Sequence, residues 1–161
     1  VVIDNSANTS IDTVALYTIT TGDALSITSV NAFSLFNFGM FSVAGRGVIL
    51  TSSYNFGIVN FAIISNAGLA IEVVSSYDGN ILGGSILHST VSAIKLTSDN
   101  LRNTLTNLII RDSGQWAIQV VGATNVDNLL FGNVMRTNTS GNISDTGTTT
   151  LIRSNVGQAD N

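Results

Sequence analysis

Asp78 and Asp99 are the two acidic residues best spaced for acid–base chemistry in this sequence. Cleavage of a glycosidic bond uses two carboxylates about 5–9.5 Å apart. The pair is separated by 21 positions, and each member follows a Tyr or a Ser in a turn-like segment. We therefore take them as candidate catalytic residues. The turn-like context favours the alternative that both carboxylates only bond to nearby backbone groups.

Ser65, His88 and Asp112 are separated by intervals of 23 and 24, a spacing that could assemble a Ser–His–Asp triad. The second interval is one residue longer than the repeat, and whether the three side chains share a column depends on where this extra residue lies. The apolar positions on either side stay in phase at an interval of 23, which places the extra residue in the turn 112–116. In that register His88 faces Arg111, and the sequence predicts a polar corner instead of a triad.

Three aromatic residues form a candidate ligand-binding face, namely Tyr54, Tyr77 and Trp116. Tyr54 and Tyr77 are separated by an interval of 23, and Trp116 lies in a predicted turn. Exposed aromatic rings offer an apolar face together with a polar edge, which suits the stacking of sugars. The alternative is that these rings pack in the core or at a subunit interface.

The sequence predicts neither a metal site nor a cofactor. It contains no cysteine, which excludes thiolate ligands and disulfides. The acidic residues are too dispersed for a calcium site. Glu72, Lys95 and Gln119 follow one another at intervals of 23 and 24, and we interpret them as an outward structural column in which opposite charges pair between strands.

All these residues lie on a repeat of about 23 residues, so the elements that position them must repeat too. Apolar residues recur at an offset of two, the period of a β-strand. Two columns belong to one strand of each unit: Leu25, Val48, Ile71, Ile94, Ile118 and Ile143, with Ile27, Leu50, Val73, Leu96 and Val120. Two belong to an earlier strand: Phe36, Val59, Leu82 and Leu105, with Met40, Ile63, Ile86 and Ile109. The absence of proline suits strands whose N–H groups all bond to neighbours.

This pattern resembles the right-handed parallel β-helix of the pectate-lyase-like superfamily, from about Val14 to about Gly157. The segment TSGNISDTGTTTLIRSNVG (Thr139–Gly157) is similar to the closing rung of phage tail proteins and polysaccharide lyases. The resemblance implies an all-β, right-handed, single-stranded β-solenoid of about six rungs of ~23 residues. We expect 1–12 to form a cap or to continue a missing upstream rung, 13–146 to form the rungs, and 147–161 to form the closing strand and tail.

Composition narrows the range of partners. Charged residues make up only 10% of the chain, and the net charge is −4 without a basic stripe, so we expect no nucleic-acid partner. No apolar run reaches the ~18 residues that a membrane-spanning helix needs, so we expect no membrane partner. A polar surface of Ser, Thr and Asn is typical of β-rich proteins that work outside a cell or on a virion.

The main functional hypothesis is a structural or adhesion module of a phage tailspike, tail fibre or other virion appendage that contacts host cell-surface polysaccharide. The alternative is a polysaccharide-degrading glycosidase or lyase, and a further alternative is an extracellular surface β-solenoid. The lack of a carboxylate pair in one column favours the first hypothesis. Paired acids beside exposed aromatics in one groove would favour the enzyme. The tailspike resemblance also implies a homotrimer.

Overall fold

The computed structural model describes residues 1–157, and the part of the expected tail at 158–161 lies outside the described residues. Within 1–157 the chain forms seventeen β-strands, and we find there no helix of the length and hydropathy that a membrane crossing requires. In chain order the strands are β1 (Val2–Asp4), β2 (Ser10–Ile19), β3 (Leu25–Thr28), β4 (Ser34–Val43), β5 (Val48–Thr51), β6 (Gly57–Asn66), β7 (Ile71–Val74), β8 (Asn80–Leu82), β9 (Ser85–Ser89), β10 (Ile94–Thr97), β11 (Thr104–Thr106), β12 (Ile109–Arg111), β13 (Trp116–Val121), β14 (Leu129–Phe131), β15 (Val134–Arg136), β16 (Gly141–Asp145) and β17 (Leu151–Arg153).

The strands stack in parallel into two sheets that wrap one core. Sheet 1 has the order β1-β3-β5-β7-β10-β13-β16, and its six steps count the turns of the solenoid. Sheet 2 holds the other ten strands: β2, β4 and β6 are long, and each later rung contributes shorter pieces. Successive rungs are ~4.8 Å apart along the stack. The structure therefore confirms the all-β parallel β-helix that the repeat predicts.

Sheet 1 follows the predicted register throughout. Ile71 pairs with Ile94, and Ile94 with Ile118, as the first apolar column requires. The outward column of Glu72, Lys95 and Gln119 is also aligned as predicted. The predicted pairing of opposite charges within this column is wrong, because Glu72 pairs with Arg46 instead of Lys95. The inward positions are buried because strand alternation turns every second side chain to the core.

Sheet 2 departs from the predicted register after the fourth rung. Leu105 pairs with Ile81 instead of Leu82. The predicted column of Met40, Ile63 and Ile86 was to end at Ile109, but Ile109 pairs with Ser85 and is 42% exposed, and Ile110 pairs with Ile86 instead. The predicted alignment of the later rungs is therefore wrong by one residue.

The extra residue lies in an exposed corner between the sheets. Val74 and Thr97 pair at a separation of 23, whereas Tyr77 bridges to Leu101 at a separation of 24. The insertion therefore falls at 98–100, and its placement in the turn 112–116 was wrong. The sequence misleads here because residues 108–110 are all apolar, so either register buries a hydrophobic side chain.

Single left-handed residues form the corners of each rung. Asn60, His88 and Asp112 have φ values of 53°, 58° and 57°, and all three are exposed. One such residue redirects the chain without a loop, and Asn and Asp adopt this conformation at the lowest cost among residues with side chains. The corner side chains therefore point to solvent, where they are free to contact ligands.

The interior changes from aromatic rings to amide ladders along the stack. Phe33 and Phe56 occupy neighbouring rungs of one column, and the next position is Gly79, whose missing Cβ leaves room for the Phe56 ring. Asn103 and Asn128 follow. Asn103 Oδ1 accepts a hydrogen bond from Gly79 N at 2.9 Å, and Asn128 Oδ1 accepts one from Asn103 N at 3.0 Å. The amides are thus satisfied, which buried polar groups require.

Candidate functional site

Tyr54 and Tyr77 stand side by side at the corner where the chain leaves sheet 1. This corner is a column of single β-bridges, one residue per rung, and Leu101 follows Tyr77 in it. The ring centroids of the two tyrosines are 5.1 Å apart, and the ring planes are tilted by 32°. Tyr54 is 46% exposed. The regular spacing of the repeat thus brings the two rings together on an accessible edge of the solenoid.

An ion pair flanks the two rings at the next position of each rung. Asp78 follows Tyr77, and Arg102 lies one rung further along the stack. Arg102 donates through Nε to Asp78 Oδ1 at 2.6 Å and through Nη2 to Oδ2 at 2.8 Å. Both residues have positive φ, 56° and 54°, so their side chains share the exposed corner. This bidentate geometry fixes the orientation of both groups.

The ion pair further favours the charged form of Asp78. Hydrogen bonding from the Arg102 guanidinium holds the pKa of Asp78 below its usual value. The same contact raises the pKa of Arg102, and the nearby Asp127 carboxylate adds to that shift. Asp78 is therefore ionised at neutral pH. It can accept hydrogen bonds from a ligand, but it carries no proton to donate as a general acid.

Asp99 lies near the same corner without pairing with Asp78. It is exposed and occupies the stretch that contains the inserted residue. The neighbouring Asn100 is buried and holds the corner, because its Oδ1 accepts from Ser76 N at 3.1 Å and its Nδ2 donates to Thr97 O at 2.6 Å. The partner of Asp78 is thus an arginine, and a catalytic role of Asp78 and Asp99 stays a prediction.

Trp116 lies at the edge where the strands of sheet 1 begin, whereas the two tyrosines lie just beyond the edge where these strands end. It begins β13 and pairs with Gly141 in β16. A Cβ on Gly141 would come within 2.6 Å of the indole ring, so the glycine makes room for the ring. The bridge residue of this rung is Val126, which comes well after Trp116 in the chain. Trp116 therefore does not extend the surface formed by Tyr54 and Tyr77.

The observed register places Ser65, His88 and Asp112 in one column, contrary to the prediction that His88 faces Arg111. His88 Nδ1 lies 3.8 Å from Asp112 Oδ2, which is too long for a hydrogen bond, and the His88 side chain is 60% exposed. The other oxygen of Asp112 accepts a hydrogen bond from Thr137 Oγ1. Nucleophile activation needs an oriented base and a third group that fixes it, and this open corner provides neither.

Three charged side chains, Asp23, Arg46 and Glu72, form a network at sheet 1 that was not predicted from the sequence. Arg46 donates to Asp23 Oδ2 and to Glu72 Oε2, both at 2.7 Å. The hydrogen bond from Arg46 lowers the pKa of Asp23, and hydrogen bonds to both carboxylates raise the pKa of Arg46. The segments that begin at Gly22 and Gly45 align in the repeat, so the opposite charges of Asp23 and Arg46 were a usable signal.

Other parts of the described chain offer less to a ligand. Among residues 1–157, no three His, Cys, Asp or Glu side chains converge in a way that could hold a metal ion. A cavity opens at the N-terminal end of the stack, and its lining is apolar. Its lining residues are Val1, Ile11, Val14, Leu16, Leu25, Leu35, Phe38 and Met40. The corner that carries Tyr54, Tyr77, Asp78 and Arg102 is therefore the best candidate for recognition of a polar ligand.

The fold is similar to that of two polysaccharide-acting proteins. The A-module of the mannuronan C-5 epimerase AlgE6 from Azotobacter vinelandii matches with a TM-score of 0.72 at 14% identity, over 99% of this chain and 58% of that chain. The catalytic domain of a GH87 α-1,3-glucanase in complex with tetrasaccharides matches with a TM-score of 0.67 at 13% identity, over 96% of this chain and 34% of that chain. The chain shares the parallel β-helix fold of both.

Sequence comparison adds no family to this likeness. No protein-family model matches the chain, and no curated protein matches it. The chain spans less than two thirds of the length of each similar structure. Both structures belong to polysaccharide-acting proteins and neither to a virion appendage, so the tailspike or tail-fibre role and the homotrimer stay predictions.

Proposed function

We propose that this chain binds a neutral polysaccharide at the tyrosine corner, which we define as Tyr54, Tyr77, Asp78 and Arg102. The observation that carries the proposal is the pair of neighbouring rings on an exposed edge, flanked by a bidentate ion pair. Sugar rings present apolar C–H faces that pack on aromatic rings. Their hydroxyl groups can donate to the ionised carboxylate and accept from the guanidinium.

The spacing of the corner suits an extended polymer that runs parallel to the stack. Consecutive bridge residues lie one rung, or ~4.8 Å, apart. A chain on this edge would meet Tyr54, Tyr77 and Leu101 in turn. The parallel stack repeats the same backbone geometry at each rung, which favours a ligand that is itself repetitive.

The charge of the corner favours a neutral glycan over a polyuronate. The positive charge of Arg102 is balanced by Asp78, and Asp99 and Asp127 add two exposed carboxylates nearby. The chain as a whole carries a net charge of −4. Charges within roughly one Debye length, ~10 Å at 0.1 M salt, still interact appreciably. A carboxylated polymer would therefore be repelled at this edge.

The protonation of the corner favours binding over cleavage. Glycoside hydrolysis needs one carboxyl that stays protonated and a second that is ionised. The pKa of Asp78 is lowered by Arg102, so Asp78 lacks the first property. The likeness to two polysaccharide-acting proteins instead supports the alternative, a glycosidase or lyase of the β-helix type. Both functions, and an adhesion module on a virion, would use a glycan-binding surface and differ in what happens to the glycan.

Calorimetric titration with neutral α-1,3-glucan oligosaccharides and with polymannuronate tests the proposal. We expect binding of a neutral glycan with little dependence on salt, and at least tenfold weaker binding of polymannuronate. Tighter binding of polymannuronate would contradict the proposed specificity. Chromatography of the incubated glycans separates the two functions, because new chain ends would establish the enzyme alternative and make Asp78→Asn and Asp99→Asn the first variants to assay.

A further inference from the structure

The outward side of the strand that follows the tyrosine corner carries two columns of side chains, with one residue from each of seven rungs in each column. We call this surface the β8 face. Its first column contains Asp12, Phe36, Val59, Leu82, Thr106, Phe131 and Arg153. Its second column contains Ser10, Ser34, Gly57, Asn80, Thr104, Leu129 and Leu151.

The first column is complementary to its own reverse. An acid stands at one end and a base at the other, Asp12 and Arg153, and both are exposed. Phe36 is the second residue of the column in chain order, and Phe131 is the second from its C-terminal end. Val59 and Thr106, which have the same branched shape, come next. Leu82 is the central residue and is 37% exposed.

The second column is complementary to itself in size. The first two rungs contribute Ser10 and Ser34 to this column, and the last two rungs contribute Leu129 and Leu151. Leu151 is 41% exposed. When the column is reversed, each large leucine faces a small serine, so that the protruding end of one copy meets the recessed end of another.

We propose that two copies of this chain pair face to face through the β8 face in opposite directions. A two-fold axis along the strand direction, passing at Leu82, reverses the stack and keeps each column over itself. Asp12 then meets Arg153 of the partner subunit, Phe36 meets Phe131 of the partner subunit, and Leu82 meets its own copy. A two-fold interface of this kind uses the same patch on both subunits and closes after two copies.

A parallel arrangement lacks this complementarity. Copies related by an axis parallel to the stack place Asp12 and Arg153 at the same heights as their own equivalents. Like charges would then approach at both ends, and neither leucine of the second column would find a serine opposite. The charge order of the β8 face therefore selects the antiparallel pair over the homotrimer that the sequence resemblance implies.

The size of the face sets the expected strength. Six steps of ~4.8 Å give a length of about 29 Å, and the width is two side-chain columns. A surface of this length and width covers less than the ~800 Å² that each partner buries in a standard stable interface. The pair should therefore dissociate on dilution. The axis also leaves both tyrosine corners at the same edge of the dimer, where one polymer could contact the two.

Sedimentation equilibrium of the purified chain over a wide concentration range provides the first test. We expect a reversible monomer–dimer equilibrium that Leu82→Glu weakens at least tenfold, because two carboxylates would meet on the axis. Val74→Glu is the matched control, since Val74 is an outward, partly buried apolar residue of the same rung in sheet 1. A monomer at all concentrations, a trimer, or equal effects of the two variants would overturn the proposal.

Charge reversal provides a second test that does not depend on Leu82. In the antiparallel pair, Asp12→Arg and Arg153→Asp each place like charges together and should weaken dimerisation severalfold. The double variant Asp12→Arg/Arg153→Asp restores opposite charges at both contacts and should dimerise like the original chain. Failure of the double variant to recover, with circular dichroism unchanged, would overturn the antiparallel arrangement.

Discussion

Replacement of Gly79 by alanine should destabilise the solenoid at the point where its interior changes from rings to amides. A Cβ at Gly79 would meet three atoms of the Phe56 ring, at distances well inside normal carbon–carbon contact of about 3.5–4.0 Å. The ring has no space to move into, because Phe56 is only 1% exposed. Gly79→Ala therefore tests whether the inward ring and the missing Cβ depend on each other.

The expected cost follows from how little the two rungs can shift. Overpacking of a core costs about 1–3 kcal/mol. We expect the upper end, ~3 kcal/mol, because hydrogen bonds of 2.9 Å fix both neighbours: Asn80 N donates to Phe56 O, and Gly79 N donates to Asn103 Oδ1. For a domain of this size each kcal/mol lowers the melting temperature by about 2–4 °C, so the loss should be roughly 6–12 °C.

Thermal and urea unfolding of Gly79→Ala beside Gly57→Ala measures this cost. Gly57 is also a strand residue, but the nearest atom to its added Cβ is Ser34 Oγ at 4.0 Å, so its replacement should change stability by less than about 1 kcal/mol. Phe56→Ala should lose about 3–5 kcal/mol alone and less in the Gly79→Ala background, where the clash disappears. Equal stability of the two glycine variants would refute the reasoning.

Three further predictions concern polar contacts. Asp23→Asn should lower stability by ~0.5–1 kcal/mol at pH 7, a small cost because the Arg46 side chain is 39% exposed and solvent screens the pair. The pKa of Asp23 is lower in the folded state than in the unfolded state. Its contribution to the free energy of unfolding is therefore fully present above the unfolded-state pKa near ~4 and is lost as the pH falls through the lower folded-state pKa. Urea unfolding from pH 7 to pH 2 should show the stabilities of the original chain and Asp23→Asn converge. Asn133→Ala should cost about 2–4 kcal/mol in urea unfolding, because buried Asn133 accepts from Leu108 N and donates to Leu105 O. His88→Ala should change the melting temperature by less than about 2 °C, because its side chain is 60% exposed; a larger loss would show that the Asp112 contact is structural.

The repeat made sheet 1 predictable because its apolar columns tolerate no slip. A shift of one residue would turn Ile94 and Leu96 outward and Lys95 inward, which is costly. Sheet 2 was less predictable after the fourth rung. There the interior is shared by apolar residues and buried amides such as Asn103, so the period of two no longer fixes the register.

The tyrosine corner was only partly predictable for the same reason. Tyr54 and Tyr77 precede the insertion, and their regular spacing in the repeat brings them together. Arg102 follows the insertion, so its contact with Asp78 depends on a residue that adds length without any apolar signal. The position of Trp116, at the edge where the strands of sheet 1 begin, could not be predicted without knowing that this residue starts a strand.

Calorimetric titration of the original chain and three tyrosine variants with one neutral glycan tests the central claim most directly. We predict that Tyr54→Ala and Tyr77→Ala each weaken binding about tenfold, equivalent to ~1.4 kcal/mol, whereas Tyr17→Ala leaves the affinity unchanged. Tyr17 is the matched control because it is also exposed and stacks on an aromatic neighbour, Phe41, at 5.1 Å. Unchanged affinity in Tyr54→Ala and Tyr77→Ala, with binding otherwise intact, would contradict a glycan site at this corner.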